Sequence, residues 1–138
     1  MSQYGRYCKC ESGGTKFARE LPEDLERLFF RMNGPQLVKA SLRPLLKMFY
    51  KLKQTTEKLD LCIPHQASPF ALDLIQRRLD IPDDQFVSIV RDYGNMIAAS
   101  IPFALHQTIS SAKLQRGDSV MLFGTAAGLS IGGAIIEY

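Results

Sequence analysis

Apolar residues recur along this chain at two spacings, one helical and one extended. In NGPQLVKASLRPLLKMFYKLKQ, residues 33 to 54, Leu37, Ala40, Leu45, Met48, Phe49 and Leu52 fall at roughly helical period. Asn33 or Gly34 can cap this helix, and Pro35 suits its first turn. Pro44 lies inside the stripe. It removes one backbone donor and predicts a kink, at a cost of about 3 kcal/mol unless packing favours the bend. A second helix is predicted over SPFALDLIQRRLDI, with Ser68 as N-cap, Pro69 at the first position, and Phe70, Leu72, Leu74, Ile75 and Leu79 as the apolar face. A third, rich in small residues and interrupted by Pro102, covers MIAASIPFALHQTISSAKL.

The extended pattern predicts strands at LDLCIP, QFVSIV, SVMLFG and IGGAIIEY. The turns are PDD, RDYGN, QRGD and TAAGLS. Near the start, QYGRYCKC alternates weakly and predicts a strand, followed by an ESGG turn. Residues 11 to 33 are the least settled, because LPEDLERLFF has helical spacing but also suits an extended connection. Strand and helix alternate first, and the end is a hairpin. That order predicts an α/β fold with a mixed sheet. No repeat, low-complexity tract or linker divides residues 1–138, so one compact domain is expected, with 1–30 its least defined part.

Composition changes this picture little. The chain has 138 residues, 46% hydrophobic and 22% charged, as in an ordinary globular protein. A net charge of +3 is too weak to point to nucleic acid and suits an acidic protein or phosphorylated ligand at least as well. No run approaches a membrane span, and MSQYGRYCKC has no apolar signal core. Cys8, Cys10 and Cys62 show no metal-ligand spacing. Reduced thiols in a cytoplasm are expected, with no metal and no permanently bound cofactor.

Three features converge on one expected edge of the sheet. His65 follows one strand, Asn95 follows another at the entry to the small-residue helix, and GTAAGLSIGG joins the last two strands. Ligands gather outside the carboxyl ends of strands in α/β proteins. A neutral imidazole and a carboxamide can each donate to a developing negative charge, and a glycine-rich loop can offer backbone N–H groups to an oxyanion. The other histidine, His106, has no partner in the pattern and reads as a core or surface residue.

IPHQAS, YGNMIAASIPFAL, QRGDSVMLFGTAAGLSIGG and the closing AIIEY resemble the C-terminal half of β-ketoacyl-ACP synthase III, of the thiolase-like superfamily. RMNGPQLVKASL resembles the helix that precedes the histidine strand in that family. The resemblance covers about Arg31 to Tyr138. It implies half of a thiolase-like fold and a decarboxylative Claisen condensation of acyl-CoA with malonyl-ACP on a Cys-His-Asn site. His65 and Asn95 take the positions of the last two members. Ala127 takes the loop position whose N–H helps hold the oxyanion, with Gly128 beside it. Gln66 follows the family's His-Gln. Lys39, Arg77 and Arg78 match basic positions on the side that meets the carrier protein or CoA.

The chain also departs from the family. The nucleophilic cysteine belongs to an N-terminal half that is not in this sequence, and no cysteine here replaces it by motif. Cys62 is expected to point into the sheet. The loop, usually Phe-Gly-Gly-Gly, here reads Thr125-Ala126-Ala127-Gly128. Phe70 replaces a carrier-binding arginine, and Ser68 an asparagine. Three readings follow: an acyltransferase half that pairs with a separate cysteine-bearing half; a non-catalytic, self-associating module that binds carrier protein or CoA; or a gene fragment. A half-fold should expose apolar surface, with Phe29, Phe30, Phe49 and Tyr50 as candidates, so a homo-oligomer, most simply a dimer, is expected.

Overall fold

A computed structural model describes residues 2–12 and 23–138. A 3-10 helix at Ser2–Tyr7 leads into β1 (Cys8–Cys10), which pairs antiparallel with β2 (Phe30–Met32). The strand expected over residues 3–10 is therefore confined to its last three positions. In the LPEDLERLFF segment, the described part is a 3-10 helix at Leu25–Leu28 followed by β2. Its first two residues, and most of the ESGG turn's end, lie outside the described residues.

Helix α1 (Gly34–Lys53) is capped by Asn33, whose Oδ1 accepts from the Gln36 N–H at 3.2 Å. It runs as one helix through Pro44, the position where the sequence predicts a kink. Leu45 and Phe49 carry its buried face, and that packing offsets the missing donor. Phe49, expected on an exposed surface, is in the core and stacks edge-to-face on Phe123 at 5.6 Å.

The main sheet has the order β3-β4-β5. Strand β3 (Leu61–Pro64) runs parallel to β4 (Ser119–Ala126), and β4 is antiparallel to β5 (Ser130–Glu137). Side chains alternate across it. Cys62, Met121 and Phe123 pack with α1 and α2 (Pro69–Leu79) on one face. Leu61, Ile63 and Val120 pack with Ala104 of α4 (Ser100–Ser110) on the other. The result is three layers, helix-sheet-helix.

Helix α2 begins as expected, with Ser68 Oγ accepting from the Ala71 N–H at 3.2 Å. Its inward face is Ala71, Leu72 and Leu79, while Phe70 points to solvent and is 71% exposed. The small-residue helix starts later than expected, after a 3-10 turn at Ile97–Ala99.

QFVSIV is not a full strand. Only Phe86 bridges to Cys62, and Val90 already opens the short helix α3 (Val90–Tyr93). The reason lies in Pro64. The Cys62 N–H donates to Gln85 O at 2.8 Å, and Val87 N–H donates to Cys62 O at 2.9 Å. The next donor in that ladder would be residue 64, and proline has none. The Gln66 carboxamide takes its place: Nε2 donates to Val87 O at 3.1 Å and to Pro64 O at 2.8 Å, and Oε1 accepts from the Ile89 N–H at 2.8 Å. Gln66 is wholly buried, so its side chain serves the fold and does not reach out to a carrier protein or CoA as expected from the sequence.

Replacing Gln66 with Leu leaves the Val87 carbonyl and Ile89 N–H without these partners. The expected loss is about 3 kcal/mol of unfolding free energy by urea titration, since each buried orphan costs about 1–3 kcal/mol.

Candidate functional site

His65 is the first residue beyond β3. Its N–H donates to Phe123 O at 2.7 Å, which extends the β3–β4 ladder by one residue and fixes where the imidazole leaves the sheet. Gly124 faces it. A Cβ on Gly124 would lie 2.6 Å from His65 Cβ, so only glycine lets β4 pass this close. The sequence showed Gly124 as part of a glycine-rich loop but gave no sign that it carries the histidine. The half-buried ring is held below its ordinary pKa of 6.5 by that burial. At neutral pH it is an uncharged imidazole with one N–H donor and one acceptor.

Asn95 reaches the same edge from the other neighbouring segment. Gly94, at φ +69°, lets the chain turn between α3 and the 3-10 helix. Asn95 Oδ1 then accepts from the Ile97 N–H at 2.8 Å and from Ser100 Oγ at 3.4 Å. Ser100 is fully buried, and its Oγ accepts from the Met96 N–H at 3.1 Å. Asn95 Nδ2 donates to Ala67 O at 3.4 Å. The carboxamide oxygen is thus committed inward, and one of its two N–H donors is left for a ligand. Asn95 itself is exposed.

Ala127 and Gly128 form the tip of the β4–β5 hairpin, at the carboxyl end of the same β4 that flanks His65, and both are exposed. Gly128 takes φ +110°, a conformation open to glycine. Buried Leu129 anchors the tip.

The basic residues fall on two separate surfaces. Exposed Lys39 lines a depression of about 360 Å³ on α1 with Tyr4, Tyr7 and Arg43. Arg77 lines another, on α2, among Asp73, Asp80 and Asp83. Arg78 is exposed beside it. Cys62 is buried in the core, where desolvation pushes its thiol up to about 12, so it holds no thiolate at neutral pH. Among the described residues no three His, Cys, Asp or Glu side chains group as metal ligands. No described helix is long and apolar enough to cross a membrane.

The family model described as 3-oxoacyl-[acyl-carrier-protein] synthase III C terminal matches residues 50–138. The chain belongs to this family. It is 32% identical over 126 residues to a beta-ketoacyl-[acyl-carrier-protein] synthase III of Clostridium perfringens, covering 88% of this chain and 38% of that protein. A Synechocystis synthase III is 36% identical over 111 residues, 78% of this chain and 34% of that one. Among solved structures, 3-oxoacyl-[acyl-carrier-protein] synthase III of Aquifex aeolicus superposes with a TM-score of 0.75 at 32% identity, covering 80% of this chain and 37% of its own. The Thermus thermophilus enzyme gives 0.83 at 25% identity over the whole of this chain and 43% of its own. The chain therefore spans well under half the length of the relatives it matches, and its fold is the C-terminal half of theirs.

Two measurements check the site. Because the folded His65 takes up its proton at lower pH than the unfolded one, the unfolded state binds more protons as pH falls below about 6.5. Stability should therefore be flat above that pH and fall as pH drops through it, and His65→Gln should remove its share of the slope in urea titrations between pH 7.5 and 5.5. Gly124→Ala should cost about 1–3 kcal/mol through overpacking and move the His65 ring resonances in NMR spectra.

Proposed function

We propose that this chain supplies the His/Asn half of a Cys-His-Asn acyl-transfer site, for decarboxylative Claisen condensation of acyl-CoA with malonyl-ACP. The carrying observation is the convergence of His65 and Asn95 on one sheet edge, each held by buried partners and each keeping an N–H for a ligand. Two such donors suit a malonyl thioester carbonyl, whose oxygen gains negative charge as carbon dioxide leaves and the enolate forms. Donors fixed in advance stabilise that charge by several kcal/mol in a dry site. A neutral imidazole fits this role, because its one N–H can donate to the oxygen that gains charge. Ala127 and Gly128 offer backbone N–H groups to the oxyanion of the acyl-transfer step. Lys39, with Arg43 beside it, and Arg78 are the carrier-protein contacts.

Condensation needs a nucleophile that this chain does not supply. Cys62 is buried and fully protonated, and it faces the α1–α2 core. On this reading the cysteine belongs to an N-terminal half outside residues 1–138. The second reading, a self-associating module that binds carrier protein or CoA without chemistry, draws on exposed Phe29, Phe30 and Tyr50.

The test is malonyl-thioester decarboxylation, followed by carbon dioxide release, with and without a cysteine-bearing half. The chain alone should decarboxylate slowly and give no condensation product. His65→Ala and Asn95→Ala should each lower decarboxylation by about 10²-fold. Equal rates for wild type and both variants would sink the enzymatic reading and leave the binding module.

A further inference from the structure

The net charge of +3 conceals how that charge is distributed. Helix α1 carries Lys39, Arg43, Lys47, Lys51 and Lys53 and no acidic residue. It thus holds five of the chain's 17 lysines and arginines and none of its 14 acids, so the other residues together are net negative, at −2. One helix accounts for the whole positive excess.

Four of the five recur at every fourth position. The row Lys39, Arg43, Lys47, Lys51 runs for about 18 Å along the axis and covers roughly 120° of the helix surface. Leu45 and Phe49, the buried residues, lie on the opposite side. All four cations are exposed, and among the described residues none of them is in an ion pair. The row does not serve the helix, because like charges four residues apart destabilise it. Lys51 and Lys53, in the last turn, complement the helix dipole. Lys39, Arg43 and Lys47 are too far from that end to do so.

The shape of the row selects the partner. A plane laid against α1 meets all four cations together. The neighbouring α2 has mixed charge, with Asp73 and Asp80 among Arg77 and Arg78, so the positive field is confined to a single ridge. A ridge suits a flat anionic surface better than a partner that wraps around it, which needs cations on both flanks. Tyr50, 47% exposed, lies on the same face of α1. Its amphipathic ring is of the kind that sits at headgroup level. The apolar face of α1 is already used by the core, so the contact is by charge and lies at the surface. We propose that α1 rests this ridge on the anionic headgroups of a phospholipid bilayer. The lipid phosphates then supply the acidic partners that the four side chains lack. This contact does not depend on the catalytic reading. Attraction to such a surface is worth about fivefold in binding per lysine or arginine, so the contact is reversible and sensitive to salt.

Flotation of the full chain with lipid vesicles tests this. The chain should bind vesicles of equal phosphatidylcholine and phosphatidylglycerol at low salt, leave them at high salt, and ignore phosphatidylcholine alone. Lys47→Gln/Lys51→Gln should weaken binding about tenfold or more, with the far-UV circular dichroism unchanged. Neither residue is among the carrier-protein contacts, so decarboxylation should not change. Arg31→Gln/Lys113→Gln removes the same net charge from exposed positions off α1 and should weaken binding about twofold at most. No binding to the anionic vesicles at low salt, or equal weakening by the two double variants, would overturn the proposal. Binding to duplex DNA or polyglutamate that survives salt sufficient to strip the vesicles would also overturn it, by assigning the ridge to another partner.

Discussion

Pro64 is the constraint around which the site is arranged. It ends β3 and cannot donate, so the ladder toward residues 85–89 would stop one bond short of His65. The Gln66 carboxamide continues that ladder from two residues further on, matching a donor to Val87 O and an acceptor to Ile89 N–H. This lets β3 terminate and turn while the neighbouring segment stays in register. Ala67 and Asn95 are then close enough for a hydrogen bond. Without that substitution, the histidine and asparagine turns would have no common frame. A glutamine that the sequence suggests as a carrier-protein or CoA contact is thus buried, bonding the segment between the His65 and Asn95 turns.

Much of this was legible in the residues. The capped starts of α1 and α2 and the β3, β4 and β5 runs all follow from periodicity and turn chemistry. The misreadings share a cause, which is local pattern overridden by neighbours. QFVSIV alternates like a strand, but its partner on β3 lacks the N–H that would extend the pairing. Pro44 lies inside α1, and the buried face on Leu45 and Phe49 runs on through it. Phe70, assigned to the apolar face of α2, points to solvent, while Ala71 beside it is buried. The weight carried by Gly124 was invisible, since close backbone approach depends on a residue fifty-nine positions away in the chain, and no single-sequence pattern encodes it.

The same geometry explains how half a site can be ordered without its other half. Among the described residues, Phe123 O and Gly124 hold the His65 position, and Ala67 O, Ile97 N–H and Ser100 Oγ hold Asn95. Preorganised donors need that independence, because a carboxamide free to rotate would have to be ordered during the reaction and would lose much of its advantage.

What the chain lacks is equally local. Its buried thiol, Cys62, sits in an apolar layer where a thiolate is disfavoured, and half-buried Cys8 and exposed Cys10 are on β1. Activation of a cysteine requires a positive field, such as a helix N-terminus or an adjacent cation. Around Cys62 the burial among apolar neighbours outweighs the positive charge of Lys53 at the end of α1, which alone would favour the thiolate. The division of labour is therefore built into the packing. The layer that stabilises the sheet keeps its thiol inert, and the sheet's carboxyl edge carries the donors.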